Sequence, residues 1–179
     1  MNAEMRHSEV SYVLVCLRVD GTPHFLLAHH TKWGDWSLAG GHLEPSEHGS
    51  WATAAAREIQ EELPPLQHRK HFVLIPIFSR PITWGPEPSR SSGNRPTIYH
   101  AQFFALELVV DPVELFSMLN AEDLRLVPQA ELERGRIAAP LQVVRDKLAG
   151  GLTSIPLAWP EGVSRSRLPV RLFGPTSTN

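Results

Sequence analysis

Cysteine is nearly absent from the chain. Cys16 is the single one among 179 residues, so no internal disulfide can form and a reducing, cytoplasmic setting is expected. It sits inside the apolar run Tyr12-Val13-Leu14-Val15-Cys16-Leu17, where a buried strand thiol is expected rather than a reactive one. Positive charge is not in excess either: 17 Lys and Arg against 19 Asp and Glu leave a net charge of −2. That balance provides no basic footprint for duplex nucleic acid. No stretch approaches the roughly 18 apolar residues that cross a bilayer. Residues 1–10 are too polar for the apolar core of a signal peptide, so no membrane association is expected. No cysteine–histidine cluster offers a zinc site, and there is no internal repeat. His29, His30, His42, His68 and His71 read as ordinary exposed or satisfied side chains. Apolar content of 42% and charged content of 20% are those of an ordinary globular domain.

Hydrophobic patterning predicts strands near 9–19 and 23–30, joined by a turn at Asp20-Gly21-Thr22-Pro23. A short strand is expected around Trp36-Ser37-Leu38, a helix at 50–63, and strands at 71–79 and 97–108. Asp111-Pro112 opens a helix to Leu119, with Asp as cap and Pro in the first turn. Leu124 to Val127 reads as a last strand, and Pro140 to Ala149 as a closing helix stopped by Gly150-Gly151. Mixed strands and helices with hairpins imply an α+β fold. Residues 80–97, with Pro81, Pro86, Pro88, Pro96, Gly85 and Gly93, read as a long loop. The domain is expected to span 1–150, followed by a Pro/Ser-rich extension over 151–179 that can dock on the domain or on a second subunit, as in a homodimer.

The informative stretch is Gly40-Gly41-His42-Leu43-Glu44-Pro45-Ser46-Glu47, followed by Arg57-Glu58-Ile59-Gln60-Glu61-Glu62-Leu63. At about 100° per residue, Glu61 and Glu62 fall within about 60° of Glu58 on either side. Ala52, Ala55, Ala56, Ile59 and Leu63 form the adjoining apolar stripe. Pro64-Pro65 ends the helix, so three carboxylates share its last turn, where the helix dipole disfavours anions. Such costs are accepted chiefly at functional sites. A divalent cation relieves them, and Mg²⁺ prefers hard carboxylate oxygens together with water and phosphates. A solvated acidic face is the bland alternative.

These residues resemble the signature of the Nudix hydrolases: Gly, five residues, Glu, seven residues, then Arg-Glu-apolar-x-Glu-Glu-x-Gly. Here nine residues separate Glu47 from Arg57, and Pro64 stands at the family's last Gly. The lead-in Trp33-Gly34-Asp35-Trp36-Ser37-Leu38-Ala39 is similar to the strand that enters the family's glycine pair. The resemblance, to MutT-like members in particular, implies a helix–sheet–helix sandwich with a mixed β-sheet. It also implies a Mg²⁺-dependent hydrolase, with Mn²⁺ as the alternative ion, that cleaves the pyrophosphate bond of a nucleoside diphosphate linked to another moiety. Glu58, Glu61 and Glu62 then match the metal-binding carboxylates and the Gly40 carbonyl a backbone ligand. Arg57 matches the arginine that orients them, and Glu47 its partner. Glu122, with Asp123 next, is the candidate for a further metal-binding carboxylate from the loop before the last strand. Trp84, with Arg80, Arg90 and Arg95, is expected to contact the nucleotide substrate, Trp33 and Trp36 being further candidates for stacking. The alternative class is a Nudix-fold nucleotide sensor without hydrolytic activity.

Overall fold

The apolar run that the sequence presents as one strand divides at Val15 between two sheets. The computed structural model describes residues 5–30, 34–134 and 139–174; Trp33 lies outside the described residues, as does the side chain of Arg90. Strand β1 (Arg6–Leu14) enters one sheet and β2 (Cys16–Val19) the other. The first sheet has the order β5 (Ala39–His42), β1, β8 (Arg95–Leu108), β6 (Phe72–Pro76), with β7 (Ile82–Ser89) also paired to β8. The β1–β8 pairing is parallel and the others are antiparallel, so the sheet is mixed. In the second sheet β10 (Trp159–Val163), β2, β3 (Thr22–His30) and β4 (Asp35–Ser37) follow one another, and β9 (Leu124–Pro128) pairs β3.

Side-chain alternation along β1 and β8 gives each face of the first sheet its own core. Val13 and Phe104 pack with Ala55 and Ile59 of helix α1 (Trp51–Glu62). Val10, Leu14 and Phe103 pack with Leu141 and Val144 of α4 (Ala139–Lys147). The result is the expected helix–sheet–helix sandwich. The Asp111 carboxylate caps α2 (Pro112–Met118) by accepting from the Val113 N–H at 2.7 Å. Helix α3 (Gln129–Arg134), which the periodicity did not suggest, follows β9 directly. Cys16 is buried, and burial pushes its thiol up to about 12, so it is inert.

One expectation needs correction. Residues 80–97 are not an irregular loop: most of them form β7 and the start of β8. Prolines disguised the strand. Pro86 falls where the β7–β8 register shifts, a bulge that needs no ladder donor, and Pro88 pairs Pro96. The described part of the extension after residue 150 docks on the domain, one of the two placements expected for it. Strand β10 joins β2 in parallel, and the Ala158 N–H donates to the Cys16 carbonyl at 2.6 Å. Leu168 and Leu172 are buried in the same core as α1. Pro160 and Gly162 inside β10 hid this strand from a pattern search.

Candidate active site

Glycine packing brings the loop and the helix together. The φ of Gly40 is +142°, a region that favours glycine, and a Cβ there would collide with the Ser11 carbonyl. A Cβ on Gly41 would collide with the Glu58 carboxylate. The pair thus lets β5 run against the helix without an intervening side chain. A short 3₁₀ turn at Pro45–Glu47 and Gly49, at φ +78°, absorb the extended spacing before Trp51 starts α1. The helix ends at Leu63, which leaves helical geometry at φ −124° and ψ 53° while its N–H donates to the Ile59 carbonyl at 2.9 Å. Pro64 is accommodated because no left-handed cap is used there.

Arg57 is the hub of the cluster. Its Nε and Nη2 grip both Glu47 oxygens at 2.9 and 3.0 Å, the bidentate pairing expected for these two residues. Its Nη1 donates to Glu58 at 2.9 Å and Glu61 at 3.2 Å, while Nη2 also reaches the His42 carbonyl at 3.0 Å. All the guanidinium N–H groups therefore have acceptors. Glu47 is 7% exposed, and the Arg57 hydrogen bonds hold its carboxyl below the ordinary range. For Glu58 burial is the stronger influence and raises its pKa, even beside Arg57. Glu62 accepts from the Gly40 N–H at 3.3 Å. Burial first, and then the neighbouring Glu58 charge, push it up to about 8.

A cavity of about 320 Å³ opens beside the last turn of α1. Glu61, Glu62 and Leu63 line one side, and His29, His30, Asn120 and Asp123 border it as well. Glu122 does not border it, whereas Asp123 does, so the neighbouring acid is the better-placed candidate in that turn. Trp84, Arg80 and Arg95 do not line it either. Trp84 lies face to face with Tyr99 at 5.2 Å and 18°, and tilts against Phe103 at 6.2 Å. Its indole N–H is buried without a partner. Arg80 and Arg95 are exposed. The sequence presents His29 as an ordinary side chain, because its place on this wall follows from the β3–β4 register, which pairs it with Trp36.

The donor chemistry suits a hard divalent ion: three carboxylates on one helical turn, two of them, Glu58 and Glu62, carrying raised pKa values that a cation would lower. Among the described residues, no three His, Cys, Asp or Glu side chains converge on one point as they stand. Glu58 and Glu61 are instead both occupied by Arg57 Nη1. Glu61, with its side chain 57% exposed, has room to turn.

The α+β sandwich with a glycine-backed acidic helix defines the class. A family model described as the NUDIX domain matches residues 8–145, and the chain belongs to that family. No curated protein matches it. Solved structures with a similar fold include the MutT protein from Methanosarcina mazei Go1, at 19% identity, covering 77% of this chain and 89% of that one, with a TM-score of 0.49. Shewanella oneidensis NrtR is similar at 16% identity, covering 73% and 56%, with a TM-score of 0.50. The C. elegans Ap4A hydrolase matches at 16% identity over 70% and 84%, with a TM-score of 0.47. At such identities the likeness concerns the fold alone.

Proposed function

We propose that the protein is a Mg²⁺-dependent pyrophosphohydrolase that cleaves a nucleoside diphosphate linked to another moiety. The observation that carries this reading is the Arg57-centred cluster of Glu47, Glu58 and Glu61, with Glu62 buried beside it against the Gly40–Gly41 backbone. Glu58, Glu61 and Glu62, with the Gly40 carbonyl, would hold the metal. When bound, it would supply charge neutralisation on the diphosphate and a water of lowered pKa. Arg57 bridges and orients Glu58 and Glu61 through Nη1, with Glu47 as its buried anchor. Gly41 leaves space for the Glu58 carboxylate, and the cavity beside Glu61 and Glu62 receives the substrate.

A Nudix-fold sensor that binds a nucleotide without cleaving it is the second reading. Pro64 in place of the family's glycine and the lengthened spacing before Arg57 favour it, and the retention of all three carboxylates with Arg57 opposes it. A panel of nucleoside diphosphate derivatives, incubated with and without Mg²⁺ and followed by ³¹P NMR, separates the two. Mg²⁺-dependent breakage of a phosphoanhydride supports the hydrolase, and binding without any product supports the sensor.

A further inference from the structure

Two side chains hold His29 on the cavity wall. Its ring lies 5.0 Å from that of Trp36 at 40°, and its Nδ1 is 3.8 Å from Asp123 Oδ1. The Arg125 guanidinium lies 4.8 Å from the centre of the Trp36 ring. Behind Arg125 stands Gly174, where a Cβ would approach Nη2 to 2.9 Å, so the backbone of the C-terminal segment limits where that guanidinium can go. Nearby Leu172 is fully buried and anchors this segment. With its side chain 30% exposed, His29 is not a freely rotating surface histidine.

Its surroundings point to a role. Arg57 spends its N–H groups on Glu47, Glu58, Glu61 and the His42 carbonyl. A diphosphate held near Glu61 and Glu62 therefore needs its hydrogen-bond donors from elsewhere. An imidazole has two ring nitrogens, and the one turned toward Asp123 leaves the other for a ligand in the cavity. We propose that His29 binds the substrate as an imidazolium, with Nδ1–H turned toward Asp123 and Nε2–H donating to a phosphoryl oxygen of the diphosphate, and that Asp123, Trp36 and Arg125 position it. The C-terminal segment supports this arrangement through Arg125. The inference rests on the pyrophosphohydrolase reading and adds a named residue for the diphosphate.

Two measurements test it. Calorimetry with α,β-methylene-ADP in Ca²⁺ reads binding without turnover, and steady-state kinetics on the best substrate of the panel separates KM from kcat. His29→Ala should raise both Kd and KM about tenfold, the size of one lost charge-assisted hydrogen bond, with kcat changed less than about threefold. His29→Gln, which keeps a side-chain N–H donor, should recover most of the loss. Arg125→Met, remote from the ligand, should weaken binding by about threefold through the Trp36 stack. Unchanged Kd and KM in His29→Ala would overturn the proposal, as would a loss confined to kcat. Equal losses in the Ala and Gln variants, with a lower Tm in both, would reduce His29 to a packing residue and overturn it too. Active wild-type protein with an indifferent His29→Ala variant sinks this inference alone. A wild type that neither binds nor cleaves any nucleotide sinks the underlying reading and the inference together.

Discussion

Glu62→Gln in metal-free protein should stabilise the fold at alkaline pH and do nothing at acidic pH. The Glu62 carboxyl is raised from 4.5 to about 8 by burial and by the Glu58 charge. A raised carboxyl contributes stability that is complete below the unfolded value of 4.5 and is lost as pH climbs through about 8. A shift of this size corresponds to an upper bound of about 5 kcal/mol between the two ends of that window. Side-chain relaxation and water at the cavity mouth reduce the net cost to about 1–2 kcal/mol. Glutamine keeps the shape and an acceptor for the Gly40 N–H but never ionises. At pH 9 the variant should therefore melt about 3–6 °C above wild type, and the difference should vanish below pH 5. Differential scanning calorimetry in EDTA across pH 5–9 reads this directly. With saturating Mg²⁺ the order should reverse, because only the wild type gains binding energy from the ion. Parallel pH profiles for the two proteins would refute the buried, charge-crowded environment on which this rests.

Arg57→Lys should lower turnover at least tenfold, since an ammonium cannot hold both Glu47 oxygens while bridging Glu58 and Glu61; kinetics at saturating Mg²⁺ would show it, and wild-type turnover would contradict the hub role. Trp84→Ala should lower Tm by about 4–8 °C, for about 2 kcal/mol of lost packing against Tyr99 and Phe103, and leave the order of preferred substrates unchanged. A changed order at constant Tm would return Trp84 to the substrate. Truncation after Gly150 should abolish cooperative unfolding by circular dichroism, because β10, Leu168 and Leu172 leave the core open; a cooperative transition in the truncated chain would show that the segment is dispensable.

The helix and its glycine loop were legible because their signals are local. Gly40-Gly41, the alanine stripe and Pro64-Pro65 fix the start, face and end of α1 within a few residues. The Asp111-Pro112 cap and the Asp20-Gly21 turn were legible for the same reason. Where the chain contradicted local rules, reading failed. Pro86 and Pro88 in β7, and Pro160 and Gly162 in β10, forbid strands by propensity, yet a bulge and a one-sided pairing accept them. The division of β1 from β2 at Val15 carries no composition signal, since Tyr12 to Leu17 reads as one unbroken apolar run. The site divides in the same way. Arg57 with Glu58 and Glu61 follows from helical spacing and charge, and its pairing with Glu47 only from the family resemblance. His29 and Asp123 meet only through sheet register and the 3₁₀ turn at Ala121–Asp123, which no single stretch of sequence encodes.

The most direct test of the central claim is turnover by the helix variants. Glu61→Gln and Glu62→Gln should both fold, as judged by circular dichroism and Tm. Both should lose about 10²–10⁴-fold in Mg²⁺-dependent hydrolysis of the substrate that the wild type prefers, the range expected when a positioned electrostatic catalyst is removed. Wild-type Mg²⁺-dependent turnover in both folded variants would contradict a metal site on this helix.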